Sequence, residues 1–173
     1  MNFQPTLKND LVTVRPLVQD DYWPLYAVAK DPLIWEGMPA KNRYELKPFT
    51  RFFNHLLSTG KSFCILENNN NTQIGTTRYY TVQDRLYMGS TFLGRQYWGG
   101  TYNHSFRFLL IDHAFKYYDN VHIHMTHDNK RNQRATEKLG FTHVYDETLK
   151  LHEHGKERIF MTYRMTKKKY LTQ

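Results

Sequence analysis

The chain has 173 residues, of which 40% are hydrophobic and 16% aromatic, and carries a formal net charge of +8. Length and apolar content together exclude a disordered chain and predict one domain with a sizeable core. No apolar run approaches the roughly 20 residues of a membrane span. The opening Met1-Asn2-Phe3-Gln4-Pro5 has neither a basic segment nor an apolar one, so no signal peptide is read there. Cys64 is the only cysteine, which excludes an intrachain disulfide and suits a reducing interior. The expected address is the cytoplasm. The positive charge suits nucleic acid, an acidic partner or an anionic nucleotide cofactor, and does not choose between them. Its one dense run, Lys167-Lys168-Lys169, reads as a solvated tail.

Residues 11–16 alternate and close on Pro16, predicting a first strand. Asp20 and Asp21 precede a helix that ends near Lys30, before Asp31-Pro32. Residues 31–44 are irregular, and a second helix is predicted over 49–59, stopping at Gly60. Strands follow at 62–67, 73–80 and 87–93, the first two joined by an asparagine hairpin tip at 68–71. A helix over 103–118 presents Phe106, Leu109, Leu110, Ala114 and Tyr117 on one face. A strand at 121–126, a helix at 130–139 and a hairpin (143–151 and 157–165, turning at 153–155) complete the chain. With no repeat and no linker, residues 1–173 read as one α+β domain: a mixed, mostly antiparallel twisted sheet flanked by helices.

One stretch organises the rest. Thr91-Phe92-Leu93-Gly94-Arg95-Gln96-Tyr97-Trp98-Gly99-Gly100-Thr101 runs from a strand through a glycine turn into a helix. A helix start leaves backbone N–H groups free, and the helix dipole favours an anion there. Paired glycines admit a ligand close to the backbone. The stretch is thus a candidate pyrophosphate cradle, with an ordinary strand-to-helix turn as the open alternative. The strand–helix–strand order around it fits a right-handed parallel βαβ unit, with the turn at the carboxyl end of its strand.

Gln96-Tyr97-Trp98-Gly99-Gly100-Thr101 resembles the Q/R-x-x-G-x-G/A acyl-CoA loop of the GNAT N-acyltransferases. Asn129-Lys130-Arg131-Asn132, continuing to Glu137-Lys138-Leu139-Gly140-Phe141, resembles the N-x-x-S/A…E-K-x-G-F segment of the ribosomal-protein N-acetyltransferase-like branch of that family. Both lie in the family's order, one helix and one strand apart. The resemblance implies acetyl-CoA as acyl donor and an amine acceptor, a small molecule or a protein N-terminus, that attacks the acetyl carbonyl directly. It implies that Gln96 to Thr101 hold the pyrophosphate, that Thr91, Phe92 and Leu93 pair with the pantetheine amides, and that Arg95 adds charge near the phosphates. It places Asn129 against the pantetheine arm or an active-site water, and Asn132 near the thioester sulfur, where relatives often carry Ser. Two positions depart from the pattern. Thr101 replaces Gly or Ala, and Thr136 stands where many relatives have the tyrosine that protonates the leaving thiolate.

Glu36 is the candidate general base, with a loop carboxylate paired to Arg43 as the alternative; Asn132 is the second candidate catalytic residue. Trp35 and Tyr44 are candidate linings of an acceptor pocket, or core aromatics, and Arg43 a candidate contact to an acidic acceptor. His122 and His124 share a strand face, but the spacing of a metal site is missing and no metal is expected. Asn103 is expected as a helix N-cap and Cys64 as a small core residue. A non-catalytic module that binds CoA or RNA is the competing functional class.

Overall fold

A computed structural model describes residues 1–153 and 156–172. Among these residues, eight strands form one sheet in the order β1-β2-β3-β4-β5-β6-β8-β7. They are β1 (Leu7–Lys8), β2 (Val12–Pro16), β3 (Ser62–Glu67), β4 (Thr72–Val82), β5 (Arg85–Leu93), β6 (Asn120–Thr126), β7 (Thr142–Glu153) and β8 (Lys156–Thr166). Five α-helices among the described residues flank them: α1 (Tyr22–Ala29), α2 (Leu46–Ser58), α3 (Thr101–Ala114), α4 (Lys130–Lys138) and the single turn α5 (Lys167–Tyr170). Among the described residues only β5 and β6 pair in parallel; every other pair is antiparallel. The mixed α+β sheet expected from the sequence is therefore observed.

Strand alternation divides the core. In β3, Phe63 and Ile65 join the cluster under α3, with Leu110 and Ile111, while Cys64 and Leu66 join the cluster under α1 and α2, with Leu25 and Phe53. All six residues of β3 are buried because both faces of the sheet are covered.

Several boundaries differ from those predicted. α2 begins at Leu46, three residues early, since Pro48 is tolerated in a first turn where its missing N–H costs nothing. α3 begins at Thr101 with Gly100 as its N-cap, so Asn103 is already inside the helix and not its cap. Tyr117 lies beyond α3 and is 53% exposed. The basic tail is not merely solvated: Thr166 caps α5, and the Tyr170 hydroxyl donates to Asp112 at 2.6 Å. The tip of the last hairpin, His154-Gly155, lies outside the described residues.

Two features of β5 shape the site. Thr76 pairs with Phe92 and Arg78 with Gly89, so β5 spends two residues, Ser90 and Thr91, opposite the single Thr77. This is a β-bulge, and Ser90 takes the positive φ (+50°) that it requires. On its other side β5 pairs with β6 only at Leu86↔Val121 and Tyr87↔His122. Beyond Tyr87 the bulge bends β5 away, and the two strands run on, unpaired with each other, to Leu93 and Thr126.

Candidate active site

The gap between the carboxyl ends of β5 and β6 opens into a cleft of about 370 Å³. β5 contributes Thr91, Phe92 and Leu93; the turn contributes Trp98, Gly99 and Gly100; α3 contributes Asn103, His104 and Arg107. Asn129, Arg131, Asn132, Arg134, Ala135 and Lys138 line the opposite wall from α4 and its start, and Ile34 and Met38 close one end.

The turn has the chemistry of an anion cradle. Gly99 has φ +68°, a conformation that side chains resist. Among the described residues no side chain caps α3, so its first-turn N–H groups are left for a ligand. Trp98 anchors the turn to the strand: its Nε1 donates to the Leu93 carbonyl at 2.9 Å, taking one lone pair of a group expected to serve the pantetheine.

The α4 wall is held as firmly. Asn129 is the N-cap of α4, its Oδ1 accepting from the Asn132 N–H at 3.2 Å. Arg131 stacks on the Trp98 ring at 3.6 Å and donates to the Ile34 carbonyl at 3.2 Å, tying α4 to the glycine turn and to residues 34–38. Burial lowers its pKa, and the charge of Glu36 opposes that shift. Arg107 is 4% exposed; its Nε donates to Asn103 Oδ1 and its Nη2 to Asn132 Oδ1, both at 3.1 Å. Burial lowers the Arg107 pKa to about 10, which leaves it protonated at neutral pH. The titratable side chains lining the cleft are thus His104, Arg107, Arg131, Arg134 and Lys138, with no Asp, Glu, Tyr or Cys among them.

Of the expected donor-site residues, Thr91, Phe92, Leu93, Trp98, Gly99, Gly100, Asn129 and Asn132 come together in this cleft. Arg95, Gln96 and Tyr97 do not. They line a second cavity of about 830 Å³ with Asp31, Thr72 and Gln73, and Arg95 is engaged by the Asp31 carboxylate, whose pKa it lowers. Thr101 lines neither cavity. On the expected acceptor side, Trp35 is core: it is fully buried, its Nε1 donates to the Ala29 carbonyl, and its ring packs on Phe52 and Phe92. Arg43 lies over the Phe52 ring at 4.1 Å, outside the cleft lining, as is the 37%-exposed Tyr44. Glu36 is exposed on the segment that closes the cleft.

Sequence reasoning missed Arg107, Arg131, Arg134 and Lys138. Arg131, Arg134 and Lys138 recur at i, i+3 and i+7, a cationic stripe readable from spacing alone. Arg107 stands between Phe106 and Leu110 on an apolar helix face, the usual mark of a charge kept for a purpose. His122 and His124 share a face as expected, packed on the Tyr87 ring at 5.0 and 4.3 Å, and burial lowers both pKa values. Among the described residues no group of three or more His, Cys, Asp or Glu could hold a metal, and no helix is long and apolar enough to cross a membrane.

A splayed parallel pair inside a mixed sheet, with a cationic cleft at an uncapped glycine helix start, defines the architecture of an acyl-CoA N-acyltransferase. The family description "Acetyltransferase (GNAT) domain" matches residues 12–142, and the chain belongs to that family of acetyltransferase enzymes. No curated protein sequence matches the chain. Among solved structures it is similar to a GCN5-related N-acetyltransferase from Brucella melitensis (14% identity, TM-score 0.80, covering 97% of this chain and 81% of that one). It is also similar to Mycobacterium smegmatis RimJ in complex with CoA-disulfide (16%, 0.70, 95% and 87%). A third is the microcin C7 self-immunity acetyltransferase MccE in complex with acetyl-CoA and AMP (17%, 0.72, 91% and 93%). At these identities the likeness is one of fold.

Proposed function

We propose that the chain, acting as one domain over residues 1–173, transfers an acetyl group from acetyl-CoA to a primary amine by direct attack. The observation that carries this reading is the cleft: an uncapped helix start at Gly99-Gly100 opens into a space whose charged lining is wholly cationic. That lining suits a donor with several phosphates, which supplies the activated acetyl group. Thr91 and Leu93 on β5, with Asn129, are the residues proposed to hold its arm, and Gly99, Gly100 and the first turn of α3 its pyrophosphate. Asn132 faces the same space and is proposed to meet the reacting end. Glu36, beside the cleft and near Arg131, is the proposed base that takes the amine proton, directly or through water. Arg43 and Tyr44 are proposed to meet the acceptor.

The acceptor belongs to one of several amine classes: protein N-termini, polyamines, amino acids or amine-bearing antibiotics. The α4 segment supports the ribosomal-protein N-acetyltransferase-like branch, whereas a net charge of +8 favours an acceptor that is neutral or acidic. A cytoplasmic setting accords with the single unpaired cysteine. Titration calorimetry with acetyl-CoA and CoA tests the donor; no heat from either at high micromolar concentration would sink the proposal. Thiol release from acetyl-CoA across an amine panel tests turnover. Thr136, buried and without a phenol, is the observation that favours a non-catalytic reading. Salt-dependent RNA binding with no thiol release from any amine would establish that reading instead.

A further inference from the structure

Arg107 is a buried guanidinium that pairs with no carboxylate among the described residues. Its side chain reaches back one turn along α3 to Asn103 and across to Asn132 on α4. Both contacts are to neutral amide oxygens, and burial alone accounts for its lowered pKa, with no acid nearby to oppose it. A charge held this way is costly unless the function supplies an anion. The exposed face of α4 already offers Arg134 and Lys138 to solvated phosphates, whereas Arg107 faces a space that water leaves once a ligand fills it. Because Asn132 Oδ1 is occupied by Arg107, its amide N–H groups are the end left to face a ligand.

We propose that Arg107, with the Asn132 amide it orients, receives the sulfur of the donor as a thiolate. This rests on the acetyl-CoA reading and assigns the leaving-group end of that site. The amine nitrogen forms the C–N bond, the C–S bond breaks with its electron pair remaining on sulfur, and the surplus amine proton passes to base or water. No proton is delivered to sulfur in that step. The arrangement answers the absence of a phenol: Thr136 is fully buried, no tyrosine lines the cleft, and a fixed positive charge does by electrostatics what an acid does by proton transfer. Arg107 is the charge in the pair and Asn132 the donor.

The test needs no acceptor. CoA bound to the protein is titrated by the ultraviolet band of its thiolate. The charged and titratable groups facing the thiol are His104 and Arg107 from α3, and Arg131, Arg134 and Lys138 from α4; Glu36 lies near Arg131, and β5 contributes none. In the wild type the bound thiol should ionise about tenfold more readily than the thiol of free CoA titrated alongside it. Arg107→Met should abolish that shift, Arg107→Lys should keep most of it, and His104→Gln should leave it intact. Calorimetry at about pH 9, where the shifted thiol of bound CoA carries its charge, provides the control. Arg107→Met should weaken CoA and 3′-dephospho-CoA several-fold, by no more than about the tenfold that the thiol shift represents, but leave desulfo-CoA unchanged. An unshifted bound thiol in the wild type, the same shift in wild type and Arg107→Met, a shift that follows His104, or a loss that follows the 3′-phosphate would each overturn the proposal. Failure of the wild type to bind CoA at all would overturn the donor reading with it, whereas binding with an unshifted thiol overturns only this assignment.

Discussion

Gly37 lies so close to the Asn129 side chain that a Cβ on it would stand 2.9 Å from Oδ1 and 3.1 Å from Cγ. The segment between α1 and α2 therefore packs directly on the N-cap of α4, and the absence of a side chain at position 37 sets how deep Asn129 sits in the cleft. Asn129 is short, 7% exposed and committed to the Asn132 N–H, so it has little room to yield. Gly37→Ala should cost about 1 kcal/mol of stability and weaken CoA more than it weakens the fold. Denaturant midpoints and calorimetry on the same preparation separate the two effects. Unchanged CoA affinity would mean that Asn129 does not touch the donor.

The two glycines of the turn separate by their backbone angles. Gly99 has φ +68° with open space where a Cβ would stand, so Gly99→Val should strain the turn by about 1–2 kcal/mol through its backbone angle alone. Gly100 is extended (φ −130°), and a Cβ there meets only the Trp98 carbonyl at 3.9 Å, an ordinary contact. Gly100→Val should therefore leave thermal stability nearly unchanged while blocking approach of a pyrophosphate to the helix start. Thermal melts with and without CoA read both. Ligand-induced stabilisation that survives in Gly100→Val would remove the turn from the donor site.

How much of the molecule is legible in its sequence follows the range of the interactions involved. Alternation in β2, β3 and β6 and the parallel strand–helix–strand unit are local patterns, and they are readable. The glycine turn is readable because its backbone demands are written into residue type. Which cavity Arg95 faces, and which of its two readings Trp35 takes, are not legible for a common reason: both depend on partners far along the chain, Asp31 for the first, Phe52 and Phe92 for the second. Asn103 has the composition of an N-cap, yet the helix starts at Gly100 because the turn delivers the chain in helical direction earlier. It serves Arg107 instead. The cationic wall of α4 is readable from spacing, but nothing in a single sequence says which strand gap that wall will face.

Away from the cleft, Asp21 and Arg15 form a bidentate pair at 2.6 and 2.8 Å, with Asp21 1% exposed beneath the start of α1. Burial alone would raise the Asp21 pKa; bonds from Arg15, the Val18 N–H and Gln73 outweigh it and hold the carboxyl below its ordinary 3.8. The pair's stabilisation is thus complete above that value and is lost as pH falls through the folded pKa. Asp21→Asn should cost about 2–3 kcal/mol at neutral pH by stranding Arg15, and should flatten the decline in stability below about pH 4. Urea midpoints across the acid range read this, and parallel slopes for variant and wild type would assign the acid sensitivity to other carboxylates.

Thr136 supplies the last and sharpest contrast, because it occupies a position where a reactive hydroxyl would be looked for. Its side chain is fully buried, its Oγ1 has no hydrogen-bond partner among the described residues, and it is absent from the cleft lining. A buried hydroxyl without a partner carries a desolvation cost that an isosteric methyl does not. Thr136→Val should therefore be neutral or stabilising by up to about 1 kcal/mol, and should leave CoA affinity and thiol release with any active amine within about twofold of wild type. Its helical carbonyl continues to accept from Leu139 and Phe141, so the end of α4 is preserved. Thr136→Tyr tests the same point from the other side: at a fully buried position the ring should overpack the core and cost about 1–3 kcal/mol without improving turnover. A fall in thiol release in the valine variant, at unchanged CoA affinity, would place the hydroxyl in the proton path and would remove the need for the Arg107 charge at the sulfur.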